Sequence, residues 1–170
     1  MSKWQRFALL LVLLAGSAGA AAPTRMEVIK LSDWPEIVAR SQPQILVVDI
    51  WASWCISCIE RFPEMVAMTE RYGPESVSFV TLNLDDPQDA EGIAWADAFL
   101  GRMGGRFSNY HLQENLTTSF EALDLNAIPV VLIFDGQGRE RYRLTNDNPN
   151  KQFQKQDIED GVQALLTERG

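Results

Sequence analysis

Two cysteines, Cys55 and Cys58, are the residues in this sequence most able to do chemistry. A spacing of three places both thiols on one face of a helix, close enough to form and to break a disulfide bond. They stand where an apolar run at residues 45–48, typical of a buried strand, gives way to a helical pattern. The unpaired N–H groups and the dipole of that helix would lower the pKa of Cys55. The stretch predicts a redox-active dithiol in which Cys55 is the exposed nucleophile and Cys58 resolves the mixed disulfide.

A CxxC spacing also occurs in zinc sites and in haem attachment sites, but both need further residues. Structural zinc needs a second pair of ligands, and the chain has two cysteines and one histidine, His111. Haem attachment needs a histidine directly after the second cysteine, where Ile59 stands. We therefore interpret the pair as catalytic, expect no metal and no cofactor beyond the disulfide itself, and interpret His111 as structural.

Three residues beside the dithiol are further candidates. Asp49 ends the apolar strand, where burial would raise the pKa of its carboxyl and let it accept and return the proton of Cys58. The alternative is an aspartate that faces solvent or caps a helix. Trp51 is interpreted as packing. Trp54, adjacent to Cys55, is either a packing residue or the rim on which substrates rest.

The stretch from residue 45 to residue 63 resembles the active-site segment of thioredoxin-fold oxidoreductases. The resemblance lies in the apolar strand, Asp49 six residues before Cys55, the WxxWCxxC motif and Pro63. It implies an α/β fold of the thioredoxin-like kind, with a central mixed β-sheet flanked by helices. It also supports the catalytic role of Asp49.

A second motif, at residues 127–129, resembles the cis-proline loop of the same fold and precedes an apolar strand at residues 130–134. The resemblance implies that Ile128 and Pro129 lie against the dithiol. The backbone of Ile128 would then pair with an extended substrate, as strands do. An ordinary trans-proline at the start of a strand is the alternative.

An insert at about residues 85–115 follows the second central strand, which we expect at residues 77–84. Its pattern predicts a helix over 88–103 and a strand over 107–112. Such an insert resembles the exported TlpA-like thiol–disulfide reductases. Arg61 departs from that branch, which commonly has a glutamate three residues after the second cysteine. Asp85 and Asp86 are expected in a solvated loop.

The remaining elements follow from hydrophobic spacing and capping residues. We expect a strand at 26–31, a helix capped by Ser32, a helix at 116–123, a strand at 140–144 and a last helix capped by Asp157.

Residues 1–20 have the pattern of a secretory signal peptide, with a basic start, an apolar core and the small residues Ala18-Gly19-Ala20. Cleavage after Ala20 would leave one thioredoxin-like domain, residues 21–170, and would take the formal charge from −8 to −10. This acidity argues against nucleic acid as a partner. The protein is expected to be exported, in a bacterium to the periplasm; an uncleaved membrane anchor is the alternative.

The sequence therefore predicts an exported protein-disulfide reductase. Its partners would be substrate proteins with disulfides and an upstream dithiol electron donor, for which a membrane-bound protein is one option. The protein is expected to be a monomer. A disulfide oxidant or isomerase is one alternative. A metal- or haem-handling carrier that uses the two thiols as ligands is the other.

Overall fold

A computed structural model describes residues 25–148 and 150–169 of the chain. The predicted signal peptide at residues 1–20 lies outside these ranges. Within them, no helix combines the length and the apolar character that crossing a membrane requires.

The described chain contains six strands and five α-helices, which alternate except for two consecutive strands before the last helix. In order they are β1 (Glu27–Ile29), α1 (Trp34–Arg40), β2 (Ile45–Trp51), α2 (Ile56–Arg71), β3 (Val77–Asn83), α3 (Ala90–Met103), β4 (Ser108–Leu112), α4 (Leu116–Ala122), β5 (Val130–Phe134), β6 (Glu140–Thr145) and α5 (Lys155–Arg169).

The strands form one mixed sheet in the order β1-β4-β3-β2-β5-β6. Parallel pairing joins β1 to β4, β4 to β3 and β3 to β2, whereas β5 is antiparallel to both β2 and β6. Helices cover the sheet, and the insert after β3 supplies both a helix, α3, and a strand, β4. The predicted fold class is therefore confirmed.

The central strand β2 is buried along its whole length, because apolar side chains on both of its faces meet other elements. Leu46, Val48 and Ile50 join a core that includes residues of α1. Ile45 and Val47 join a second core with Met65 of α2 and residues of α5. A continuous apolar run, rather than an alternating one, is what a strand covered on both sides requires.

A third core cluster lies at the end of β2 that carries the cysteines. Trp51 contacts Phe62 of α2 and Phe99 of α3, at ring-centroid distances of 5.6 and 5.5 Å. The same cluster contains Cys55 and Cys58. The inserted helix α3 therefore contributes to the core cluster that packs against the dithiol. Trp51 is a packing residue, as predicted.

Local details of two helices differ from the prediction. Ser32 does not cap α1: it lies in a short 3-10 helix, Leu31–Asp33, and Asp33 accepts the N–H of Lys30 at 2.9 Å. Asp157 lies inside the first turn of α5 and accepts the N–H of Gln154 at 2.6 Å. In both cases an aspartate carboxylate accepts the N–H of the residue three positions earlier. The hydrophobic spacing of the sequence therefore placed the start of each helix at the wrong residue.

Candidate active site

Cys55 and Cys58 form a disulfide at the start of α2, with their Cα atoms 5.3 Å apart. Cys55 is the N-cap residue, and its Sγ accepts the N–H of Cys58 at 3.3 Å. The N–H of Cys55 in turn donates to the carbonyl of Ala52 at 3.1 Å. The turn between β2 and α2 thus places the sulfur of Cys55 in the position that an N-cap oxygen usually occupies.

The surroundings of Cys55 Sγ favour a negative charge. It sits at the N-terminus of a helix of 16 residues, whose unpaired N–H groups and dipole stabilise an anion. The hydroxyl oxygen of Ser57 lies 3.7 Å from the same sulfur. Because a disulfide sulfur carries no hydrogen, the hydroxyl is the donor, and it can also donate to a thiolate. On reduction, these groups would lower the pKa of Cys55.

The two cysteines differ in access to solvent. Cys55 is 5% exposed and Cys58 is fully buried. Cys55 is therefore the more accessible sulfur, although it is far less exposed than the sequence suggested. The neighbouring Trp54 and Ile56 project outward, with 52% and 72% of their surface exposed. Two large apolar side chains that flank Cys55 in the sequence are thus exposed.

Asp85 anchors the turn that precedes Cys55. Its Oδ1 accepts both the N–H and the hydroxyl of Ser53, at 2.9 and 2.8 Å, and its Oδ2 accepts the side-chain N–H of Asn83 at 2.8 Å. Asp85 is buried, so the expectation of a solvated loop is wrong for this residue, whereas Asp86 is exposed. The carboxylate is buried because three donors replace its lost hydration.

His111 belongs to the same network. Its Nε2 lies 3.0 Å from the carbonyl oxygen of Asp85, so Nε2 carries the hydrogen and donates it. The side chain is buried on the inserted strand β4. Within residues 25–148 and 150–169, no three His, Cys, Asp or Glu side chains are grouped to hold a metal ion. The geometry thus gives His111 a hydrogen-bonding role beneath the active-site turn.

Asp49 is fully buried on β2 and forms an ion pair with Arg61 of α2, with Arg61 Nη2 at 2.5 Å from Asp49 Oδ1. The guanidinium is itself 10% exposed and lies 5.0 Å from the ring centroid of Phe153. Burial raises the pKa of Asp49, and the positive charge of Arg61 opposes that rise. The sequence prediction assigned Asp49 to the site but did not connect it with Arg61.

The peptide bond between Ile128 and Pro129 is cis. Ile128 packs against the core cluster that contains both cysteines, and β5 begins directly afterwards at Val130. The structure therefore places the proline motif at residues 127–129 next to the CxxC motif. Ile128 is partly exposed.

No protein-family model matches the sequence. Solved structures do match the fold. One is a secreted Mycobacterium tuberculosis disulfide oxidoreductase homologous to E. coli DsbE, with 16% identity, a TM-score of 0.57, and coverage of 75% of this chain and 86% of that chain. Another is a thiol-disulfide isomerase from Corynebacterium glutamicum, with 14% identity, a TM-score of 0.63, and coverage of 86% and 97%. The chain therefore has the thioredoxin-like fold of these disulfide-exchanging proteins.

Proposed function

We propose that this protein is an exported thiol–disulfide oxidoreductase that reduces disulfides in substrate proteins through Cys55 and Cys58. The observation that carries the proposal is the disulfide at the N-terminus of α2, with Cys55 slightly exposed and Cys58 fully buried. The names of the solved structures with the same fold support it. Export rests on the sequence pattern of residues 1–20.

In the reducing direction, the thiolate of Cys55 attacks one sulfur of a substrate disulfide. The substrate bond breaks, a mixed disulfide forms, and the first substrate sulfur leaves as a thiolate that takes up a proton. Cys58 then loses its proton and attacks Cys55 Sγ, which releases the second substrate thiol. Two electrons pass from the dithiol to the substrate, and the Cys55–Cys58 disulfide remains.

Residues around the pair have separate tasks in this scheme. The N-terminus of α2 and Ser57 stabilise the thiolate of Cys55. The exposed side chain of Trp54 supplies apolar contact for the substrate, and the backbone of Ile128, before Pro129, pairs with an extended segment. Asp49 accepts the proton of Cys58.

The oxidised protein needs a dithiol donor to restore its thiols, because the reaction consumes them. We propose an upstream protein dithiol, at or near the membrane, as that donor. The protein acts as a monomer in this scheme, and it uses no cofactor other than its own disulfide.

The opposite direction, disulfide donation, is the second candidate, because the same features that stabilise the Cys55 thiolate also stabilise the reduced form. The reduction potential against glutathione separates the two. A reductase should have a value near that of thioredoxin, about −270 mV, and a strong oxidant a value near about −120 mV.

Trapping the mixed disulfide tests the proposal itself. The Cys58→Ser protein should accumulate covalent adducts with insulin through Cys55, because the resolving thiol is gone. The Cys55→Ser protein is the matched control and should accumulate few adducts. Adducts that form only when Cys58 is the remaining thiol would reverse the two roles, and no adducts with either variant would refute exchange.

A further inference from the structure

The buried ion pair between Asp49 and Arg61 is not explained by packing alone. Arg61 Nη2 contacts Asp49 Oδ1, but Asp49 Oδ2 is buried without a hydrogen-bond partner, as are Nε and Nη1 of Arg61. Buried polar atoms are nearly always paired in folded proteins. The unpaired oxygen of Asp49 can therefore still accept a hydrogen bond or a proton.

The elements that carry the pair also carry the dithiol. Cys58 and Arg61 are three residues apart on α2, so they lie on the same face of the helix. Asp49 and Trp51 are two residues apart on β2 and point to the same side of the sheet. Trp51 shares a core cluster with Cys58. Asp49 thus faces the side of α2 that presents the resolving cysteine.

Few charges bear on Asp49 besides Arg61. In the sheet its neighbours are Thr81 on β3 and Val131 on β5, neither of which is charged. From α5, the buried residues of the second core are apolar, namely Ile158, Val162 and Leu165. Arg61 is the charged side chain that opposes the effect of burial on Asp49.

We propose that Arg61 is a positioning residue for the exchange reaction: its positive charge favours the carboxylate form of Asp49, with Oδ1 engaged and Oδ2 available to accept the proton of the Cys58 thiol. This inference rests on the proposed function. During resolution the Cys58 proton passes to Asp49, and the Cys58 thiolate attacks Cys55 Sγ. The bond between Cys55 and the substrate sulfur then breaks, and the substrate leaves as a thiolate. Without Arg61, no positive charge would oppose the effect of burial, which raises the pKa of Asp49 and so disfavours the form that can accept the proton of Cys58.

A two-step probe measures this directly. The reduced protein is mixed with dithiobis(nitrobenzoate), which releases one coloured thiolate when Cys55 attacks and a second when Cys58 resolves the mixed disulfide. The Arg61→Met protein should show a normal first phase. Its second phase should be roughly tenfold or more slower at neutral pH and should recover at alkaline pH, because a general base contributes a factor of about 10² or more. The Arg61→Lys protein should recover much of the rate.

Two comparisons decide the origin of any effect. Arg71→Met removes an exposed arginine near the end of the same helix and should leave both phases unchanged. If Arg61 acts through Asp49, the Asp49→Asn protein and the Asp49→Asn/Arg61→Met protein should have the same pH profile in the second phase. Different profiles would show that Arg61 acts on the thiols directly and would overturn the inference.

A purely structural role for Arg61 gives another pattern. The Arg61→Met protein would then unfold at a lower temperature but keep the wild-type pH profile of the second phase, which would also overturn the inference. If the Arg61→Met protein does not fold, the Arg61→Lys protein and the Asp49→Asn/Arg61→Met protein replace it in the test. The first keeps the positive charge, and the second removes both charges of the ion pair. Absence of both phases in the wild-type protein would instead refute the proposed function.

Discussion

Asp85 gives the sharpest structural prediction, because its carboxylate accepts hydrogen bonds from Ser53 and from Asn83, and an amide cannot accept from both. In an Asp85→Asn protein the amide oxygen can keep both bonds from Ser53. The amide nitrogen then faces the side-chain nitrogen of Asn83, where the carboxylate oxygen was 2.8 Å away. Asn83 cannot rotate to relieve the donor–donor contact without losing the bond from the Asp85 N–H to its Oδ1 at 3.0 Å.

The expected cost follows from this geometry. One hydrogen bond to a charged group is lost, which lowers the free energy of unfolding by about 2–3 kcal/mol. For a domain of this size, 1 kcal/mol corresponds to a change in Tm of about 2–4 °C, so the Tm should fall by about 4–12 °C.

Asp86→Asn is the matched control. Asp86 is exposed, and its Oδ1 accepts the N–H of Gln88 at 2.8 Å, a bond that an amide oxygen can also accept. Its free energy of unfolding should change by less than about 0.5 kcal/mol. Thermal unfolding followed by circular dichroism measures both variants. An Asp85→Asn protein as stable as the Asp86→Asn protein would refute the contribution of the bond between Asn83 and the Asp85 carboxylate.

Three further predictions concern single side chains. Ser57→Ala should raise the pKa of Cys55 by roughly half a unit to one unit and make the reduction potential more negative by about 15–30 mV, because the thiolate loses a hydrogen-bond donor. Trp54→Ala should slow insulin reduction roughly threefold to tenfold but leave the reaction with glutathione disulfide unchanged, because a small substrate does not need the exposed rim. Burial disfavours the charged form of Asp135, but hydrogen bonds from Arg139 outweigh that effect and lower its pKa to about 2. Asp135→Asn should therefore cost about 2 kcal/mol at pH 7, and the difference should disappear as the pH falls from about 4 to about 2.

Each of these predictions has an outcome that contradicts it. For Ser57→Ala, titration of the thiolate absorbance would show an unchanged pKa of Cys55. For Trp54→Ala, equal losses with insulin and with glutathione disulfide would mean that the side chain supports the site rather than the substrate. For Asp135→Asn, urea unfolding at several pH values would show a constant difference from the wild type, since a depressed pKa stabilises the fold only above the unfolded pKa.

The sheet and its helices could be predicted because their signals are local. The apolar run of β2 and the helical spacing of α2 and α3 determine which faces are buried, and the structure has these elements within a few residues of the expected bounds. The CxxC motif was equally informative, because the further residues that a zinc or haem attachment site would need are missing from the sequence.

The polar contacts that hold the site could not be predicted, because their partners are distant in sequence. Asp85 meets Ser53 across 32 positions, and nothing in the sequence around Asp85 distinguishes it from the exposed Asp86. Arg61 and Asp49 are 12 positions apart. Helical spacing from Cys58 would have placed Arg61 on the face toward β2, which is the signal that could have revealed this pair.

The pKa of the Cys55 thiol decides whether this site can perform thiol–disulfide exchange at neutral pH. The ultraviolet absorbance of the thiolate, followed against pH in the reduced Cys58→Ser protein, reports Cys55 alone. A sulfur at the N-cap of α2 with a hydroxyl nearby should titrate below about 7.5. A value at or above about 8.5, the value of a free cysteine, together with no reduction of insulin by the wild-type protein, would contradict the account.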